Sequence, residues 1–192
     1  MSDCMVDFET MGVGNNPAIV QVAAVVFDIN TGKILDEFKM GVDLQSSIDA
    51  GLTVTAGTIK FWMTNRYVTQ EARDIVMGDT GDHSAGGNTL EEVLTKFSNW
   101  LKGNKVKYIH GNGAASDNVW LRSAFSSVGV KDPVGFRGDF CFRTLKTLAT
   151  RLGWKDNIER VGVYHDGLDD SKHQVKVLRA VLDFLVVDEE IR

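Results

Sequence analysis

Residues 19–29 read IVQVAAVVFDI, an almost continuously apolar run that is rich in β-branched side chains. Such a run is typical of a strand covered on both faces of a sheet, whereas a half-exposed strand alternates apolar and polar residues. The sequence NTGK at residues 30–33 favours a turn, so residues 34–42 are predicted to pair with the first run as a hairpin. Residues 4–8 form another short strand upstream. The sheet is therefore predicted to begin with three strands.

The rest of the chain predicts helices around one more strand. The clearest helix covers residues 89–101, because Thr89 and Glu92 form a capping box and the apolar residues that follow lie on one stripe ended by Gly103. Further predicted elements are helices at residues 55–64, 116–128, 144–152 and 168–187, a strand at residues 106–110 and a long loop at residues 78–88. This order predicts an α/β fold whose sheet has antiparallel and parallel parts.

Length and composition limit the possible architectures. With 192 residues the chain has room for one compact domain, so residues 1–192 are predicted as a single domain. Its 43% hydrophobic and 24% charged residues are typical of globular proteins. The first residues, MSDCMVDFETMG, lack the basic and apolar parts of a secretory signal, and no apolar run approaches the roughly 20 residues of a membrane span. The chain has only two cysteines, and they have no metal-binding or redox spacing. Together with the missing signal and membrane span, these cysteines predict a cytoplasmic protein.

The net charge of −5 argues against a protein that binds nucleic acid simply by covering it with lysines. It does not exclude a nucleic-acid enzyme. Divalent cations held by a cluster of carboxylates reverse the local field where phosphates must bind. The arrangement of the acidic residues therefore matters more than their number.

Three segments carry acidic residues in a pattern that suggests chemistry. Asp7 and Glu9 flank one residue of the first strand, so both carboxylates point to the same face, where a hard cation such as Mg²⁺ relieves their repulsion. Asp117 follows a glycine-rich loop at the start of a helix, and His165 and Asp170 precede the last helix. Each segment alone also fits an ordinary interpretation: solvated acids, an acid that complements a helix dipole, and a loop histidine.

In combination and in this order, the three segments resemble those of the DEDDh 3′→5′ exonucleases, a group that includes proofreading exonuclease subunits, oligoribonuclease and RNase T. The matching segments are VDFET at residues 6–10, GAASDN at residues 113–118 and HDGLDD at residues 165–170. The four metal-binding acids of the family correspond to Asp7, Glu9, Asp117 and Asp170, and its histidine corresponds to His165.

The resemblance covers the chain from residue 5 to about residue 185. DFCFRTL at residues 139–145 and Trp62 in TIKFWM are similar to a short bacterial and phage subgroup of these enzymes. Members often have alanine where Gly167 and Ser171 stand here. Both replacements are small, so the chemistry is expected to be unaffected.

The resemblance implies a ribonuclease H-like fold, with a central mixed sheet of about five strands flanked by helices. It also implies a hydrolase that releases 5′-mononucleotides from the 3′ end of single-stranded RNA or DNA, with two Mg²⁺ ions that Mn²⁺ can replace. In this scheme Asp7 bridges both metals, Glu9 and Asp170 serve the first, and Asp117 serves the second. His165 acts as general base, for which its ordinary pKa near ~6.5 is suitable.

Substrate contacts are less directly indicated. The candidate substrate-binding residues are Thr10, Met11, Trp62, Asn118 and Arg143. Trp62 could stack a base or pack in the core, Asn118 could cap or orient its helix, and Arg143 could bind phosphate or lie on the solvated surface.

Two other functions are compatible with the same fold: a noncatalytic nucleic-acid-binding module and another metal-dependent phosphodiesterase. The complete set of five chemical positions argues against the first, and only the family resemblance argues against the second. The choice between RNA and DNA stays open, because no residue is identified that would contact a 2′-OH. The expected partners are a single-stranded 3′ end and a second copy of the chain, but no membrane.

Overall fold

The computed structural model describes residues 2–77 and 87–187. Its strands are β1 (Ser2–Thr10), β2 (Ile19–Phe27), β3 (Ile34–Gly41), β4 (Val106–Gly111) and β5 (Asp139–Cys141). Its α-helices are α1 (Leu44–Asp49), α2 (Ala56–Thr64), α3 (Gln70–Met77), α4 (Leu90–Gly103), α5 (Val119–Ser127), α6 (Phe142–Arg151) and α7 (Gly167–Val187). A π-helical turn (Ala114–Asn118) precedes α5, and a 3₁₀ turn (Phe136–Gly138) precedes β5.

The five strands form one mixed sheet in the order β3-β2-β1-β4-β5. The β1 strand is antiparallel to β2 and parallel to β4, and β5 is parallel to β4. Every residue of β2 is buried, which confirms that this strand is covered on both faces. The predicted α/β fold with a mixed sheet of about five strands is therefore confirmed.

Strand β1 separates two apolar cores because its side chains alternate between the faces of the sheet. Val6 and Phe8 belong to the core that includes Phe97 of α4, whereas Met5 belongs to the core that includes Leu178 of α7. Asp7 and Glu9 share the register of Met5 and so lie on the α7 face. This alternation places the two acids beside the last helix.

Several short elements were not predicted. Helix α1 has only 6 residues and begins where the Asp43 carboxylate accepts a hydrogen bond from the Ser46 amide at 2.9 Å. Helix α3 begins similarly, after the Thr69 hydroxyl accepts from the Ala72 amide. Strand β5 has 3 residues and exists through its pairing with β4. Such elements depend on tertiary contacts more than on periodicity.

One predicted helix begins later in the structure than its sequence pattern indicates. The helix predicted from residue 116 begins instead at Val119, after the π-helical turn. The capping box of α4 is present as predicted, with Thr89 and Glu92 each accepting a hydrogen bond from the other residue's backbone amide. Residues 78–86 of the predicted loop at residues 78–88 lie outside the described residues.

Candidate active site

The site begins on β1, whose last residues carry the two acids of the first segment. Glu9 is 7% exposed and Asp7 is half-buried, while Phe8 points to the opposite core at 4% exposure. The carboxylates therefore face α7, as the alternation of the strand predicts.

Asp117 reaches the same site through the π-helical turn after β4. The turn passes so close to the strand that a Cβ atom on Gly111 would lie 2.3 Å from Asn118 Oδ1 and 2.9 Å from Asp117 Cβ. Asn118 is fully buried, and its side-chain amide donates to the Ile109 carbonyl at 3.0 Å and to Asp139 Oδ1 at 2.9 Å. These bonds fix the turn and direct Asp117, which is 5% exposed, towards β1.

The third segment is held at the beginning of α7. The Gly167 amide donates to Gln21 Oε1 at 2.8 Å, so the helix starts against the sheet. A Cβ atom on Gly167 would lie 2.9 Å from Ala23 Cβ, from the Asp7 carbonyl oxygen and from Gln21 Oε1. A glycine is therefore required at this position by the close approach. His165 precedes it with φ 65°, a left-handed conformation that is uncommon for residues other than glycine.

One pocket of about 480 Å³ collects the five predicted residues Asp7, Glu9, Asp117, His165 and Asp170. Three of them, Glu9, His165 and Asp170, offer ligand atoms that all lie within 4.8 Å of one another. The structure thus brings the first segment together with two segments that lie more than a hundred residues after it in the sequence.

Crowding and burial make these acids difficult to ionise together. Burial, and then the charges of Glu9, Asp117 and Asp170, raise the pKa of Asp7 well above its ordinary value. Burial, followed by Asp170 and other acids, also raises the pKa of Glu9. For Asp117 burial raises the pKa to about 6, and for Asp170 burial raises the pKa in spite of a neighbouring arginine.

This donor set fits divalent metal ions. Four carboxylates supply the hard oxygen ligands that Mg²⁺ and Mn²⁺ prefer, and a bound dication would favour their ionised forms against the burial and repulsion that raise their pKa values. Asp7, Glu9, Asp117 and Asp170 are the residues that would hold such ions.

His165 stands in an aromatic corner made by α2. Its ring centroid lies 5.2 Å from that of Phe61 and 5.9 Å from that of Trp62, with both rings edge-on to it. Burial lowers the pKa of His165, so the neutral imidazole is favoured near neutral pH. A neutral ring nitrogen can accept a proton.

Arg160 and Gln174 contact acids of this pocket and were not predicted from the sequence. The guanidinium of Arg160 forms an ion pair with Asp170, and the side-chain amide of Gln174 donates to Asp7 Oδ1 at 2.7 Å. Gln174 lies four residues after Asp170 on α7, which places both on one helical face. That spacing was available in the sequence, whereas the loop position of Arg160 gave no signal.

The candidate substrate residues occupy different surroundings. Thr10 and Trp62 line an apolar pocket of about 430 Å³ that adjoins the acidic pocket. Trp62 is only 2% exposed, and its indole N–H donates a hydrogen bond to the Thr10 carbonyl at 3.0 Å. Arg143 lines the acidic pocket and is exposed. Met11 is 3% exposed and Asn118 is fully buried, so both face the interior.

Among residues 2–77 and 87–187, no helix has the length and apolar character needed to cross a membrane.

Comparison with known families and structures gives a consistent result. The family model described as the 3′-5′ exoribonuclease Rv2179c-like domain matches residues 2–182. No curated protein matches the sequence.

The fold is similar to those of solved nucleases. The nuclease domain of 3′hExo, a DEDDh family member bound to rAMP, has a TM-score of 0.63 and 18% identity, with 95% of this chain and 92% of that chain covered. Exonuclease I of E. coli in complex with a dT13 oligonucleotide has a TM-score of 0.56 and 14% identity. The match covers 96% of this chain and 40% of the Exonuclease I chain. Exonuclease I of Methylocaldum szegediense has a TM-score of 0.63 and 14% identity. The match covers 95% of this chain and 40% of that Exonuclease I chain. The chain thus spans less than half of the Exonuclease I structures. At these identities the likeness establishes the fold.

Proposed function

The chain belongs to the Rv2179c-like 3′-5′ exoribonuclease family and is a 3′-5′ exonuclease, and we propose that it degrades single-stranded RNA with magnesium as its metal. The observation that carries the proposal is the convergence of four carboxylates and His165 on one pocket. A noncatalytic binding module has no use for four converging acids, two of which, Asp7 and Glu9, have pKa values raised by burial and by the charges of their acidic neighbours.

The metal ligands in this proposal are Asp7, Glu9, Asp117 and Asp170. When bound, a pair of divalent ions supplies a water of lowered pKa and stabilises the charge of the leaving oxygen. The protein holds the ligands in place. Asn118 fixes the turn that carries Asp117, and Gln174 restrains Asp7 by a hydrogen bond to one of its two oxygens.

His165 is proposed to remove a proton from the attacking water. Its lowered pKa keeps the ring neutral and able to accept that proton, and Phe61 and Trp62 restrict its movement by edge-on contact. His165→Ala is expected to lower kcat by about 10²–10⁴-fold while metal binding is largely kept. Near-normal activity of this variant at neutral pH would exclude His165 as the general base.

The terminal nucleotide is proposed to bind between the acidic and apolar pockets. The apolar pocket offers Phe61 and the edge of Trp62, against which a base can pack, and Thr10 lies beside them. Arg143 supplies a cation to the acidic pocket. Met11 and Asn118, which face the interior, are assigned to supporting these residues rather than to contacting the substrate.

The RNA and magnesium parts of the proposal are tested by digestion of matched oligonucleotides. Single-stranded RNA and DNA of one sequence are incubated with Mg²⁺, with Mn²⁺ or with EDTA, and the products are separated by length. We expect 5′-mononucleotides from RNA with either metal and none with EDTA. Equal or faster digestion of DNA would contradict the RNA assignment, and digestion in EDTA would contradict the metal mechanism.

The proposal includes one catalytic domain over residues 1–192, a cytoplasmic location and a homodimer. Cys4 and Cys141 are both free thiols, which supports a reducing compartment. Homodimers are frequent among the enzymes that the chain resembles. Sedimentation at several protein concentrations measures the oligomeric state.

A further inference from the structure

Helix α6 carries an unusual concentration of positive charge. Residues 140–155, FCFRTLKTLATRLGWK, contain four cationic residues and no acid, in a chain with 26 acidic residues. The lysine of this helix, Lys146, faces the acidic pocket and forms an ion pair with Asp156. Of its two arginines, Arg143 also lines the acidic pocket, and both Arg143 and Arg151 line a neighbouring face of the helix.

That face forms a groove of about 380 Å³. The groove is lined by Arg143, Thr144, Thr147, Leu148 and Arg151. All five side chains are exposed, and their spacing of four residues from Arg143 to Thr147 and on to Arg151 aligns them along one side of α6. The groove therefore presents a cation at each end with hydroxyl groups between them.

The groove is continuous with the active site, because Arg143 lines both. The apolar pocket adjoins the site elsewhere, through the shared residues Phe8, Glu9 and Trp120. The acids thus adjoin both an apolar pocket and a basic groove. A strand whose last base enters the apolar pocket, with the bond to be cut at the acids, can continue past Arg143 into the groove.

We propose that the α6 groove binds the upstream phosphates of the single-stranded substrate, on the 5′ side of the bond that is cut. This inference rests on the proposed function for the orientation of the strand. Phosphates are bound in proteins by arginines and by side-chain hydroxyls, and the groove offers both. The exposed apolar surface of Leu148 provides a contact for a base or a sugar.

The length of the groove sets the length of strand that it can hold. Arg143 and Arg151 are eight residues apart, which is about 12 Å along a helix. A stacked strand advances about 3.4 Å for each phosphate, so the groove spans three to four phosphates. A dinucleotide cannot reach Arg151, whereas a hexanucleotide can.

A second basic groove provides a matched control. Lys102, Lys105, Lys107 and Arg137 line a groove of about 500 Å³ that shares no residue with the acidic pocket. It lies at the beginning of β4, about 17 Å from the end of that strand where the active-site turn starts. If nonspecific attraction explained binding, charge reversal in either groove would have the same effect.

The test compares Arg151→Glu with Arg137→Glu on RNA of two and six nucleotides. For Arg151→Glu we expect the ratio of the hexanucleotide KM to the dinucleotide KM to rise about threefold to tenfold, with kcat little changed. The plot of log affinity against log salt concentration for the hexanucleotide has a negative slope. The magnitude of this slope should decrease by about 0.7 for each phosphate that the protein no longer neutralises.

Two further variants are controls. Arg137→Glu should leave the KM ratio and the salt slope as in the wild type, and Arg151→Lys should restore most of the affinity. An equal effect of the two reversals, or no effect of either, overturns the proposal.

Binding measured without catalysis separates this inference from the proposed function. In EDTA, fluorescence anisotropy of a labelled hexanucleotide should show weaker binding to Arg151→Glu than to the wild type. If that difference is present but no nucleotide is released with any metal, the proposed function fails and the groove assignment stands. If nucleotides are released normally and binding is insensitive to residue 151, the groove assignment fails. Hexaglutamate that competes as well as the RNA would also overturn it, because the groove would then recognise acidic chains in general.

Discussion

At the scale of single residues, the active site is built from interactions that are unfavourable until a cation binds. The charges of Glu9, Asp117 and Asp170 all act against ionisation of Asp7. Arg160, paired with Asp170, supplies only one compensating charge. The protein therefore gives up stability here to hold its ligands together, as is common at functional sites.

Removing one of the repelling charges should stabilise the metal-free protein while abolishing activity. Asp7→Asn keeps an oxygen that can accept the hydrogen bond from Gln174 but removes the charge. We expect an increase of about 1 kcal/mol in the free energy of unfolding in EDTA, or about 2–4 °C in Tm. Mg²⁺ should raise Tm much more for the wild type than for the variant. The exposed Asp49 provides the control, since Asp49→Asn should leave both activity and the response to Mg²⁺ unchanged.

Gln174 is the second residue at which a substitution is informative. Its side chain is 6% exposed, its amide group donates to Asp7, and its Oε1 atom has no hydrogen-bond partner among the described residues. Gln174→Met keeps the approximate volume but removes the donor. We expect kcat to fall about 10–100-fold, the size of effect seen when a partner of a metal ligand is removed. The KM for RNA should change little.

The matched control for Gln174→Met is Lys176→Met on the exposed side of the same helix. It should retain full activity. A Gln174→Met enzyme that is as active as the wild type at low and high Mg²⁺ would show that the hydrogen bond to Asp7 is dispensable.

At the scale of secondary-structure elements, the site depends on how closely α7 and the π-helical turn approach the sheet. The sequence predicted a short strand at residues 4–8, which carries Asp7 and ends one residue before Glu9, and the helix that carries Asp170, whose apolar residues recur with helical spacing. It did not predict the π-helical turn, since that geometry depends on the contact of Asn118 with Ile109 and Asp139. Contacts between residues distant in the chain leave no periodic signal.

The beginning of α7 gives a direct test of this close packing. Gly167→Ala introduces a methyl group 2.9 Å from atoms of Ala23, Asp7 and Gln21. We expect a loss of about 1–3 kcal/mol in the free energy of unfolding, as for other overpacked sites. Activity should also fall, because α7 must move away from β1 and carry Asp170 with it. Thermal unfolding and kcat are measured on the same preparation.

Gly103 at the end of α4 is the control for this substitution. A Cβ atom there would have no neighbour within 4 Å, so Gly103→Ala should be neutral or slightly stabilising, by up to about 1 kcal/mol. If Gly167→Ala is as well tolerated as Gly103→Ala, the close approach of α7 to the sheet is not required for the site.

At the scale of the whole molecule, a net charge of −5 coexists with a strongly basic helix beside the acidic pocket. Composition alone suggested that the chain has no basic surface for nucleic acid, because it averages over all faces. The structure separates the charges: acids converge on the acidic pocket, and Arg143 and Arg151 line the groove along α6. Such a surface suits a short single strand better than a duplex, whose second strand would have to lie over α6 as well.

The preference for single strands is the prediction that tests this arrangement as a whole. The pocket of about 480 Å³ has room for one terminal nucleotide among the acids, His165 and the neighbouring aromatic rings. A paired 3′ end must therefore open before it can enter. Opening costs a free energy of about 1–2 kcal/mol for each base-pair step, which lowers the rate roughly tenfold per step.

We expect a descending ladder from a 5′-labelled single strand or 3′ overhang, and at least tenfold slower digestion of a blunt duplex. A 3′-phosphate should slow the reaction, because it places two more negative charges beside the carboxylates. Cuts within a closed circular single strand, or a ladder that begins at the 5′ end, would contradict the assignment, because neither product can arise from a pocket that accepts only a free 3′ terminus.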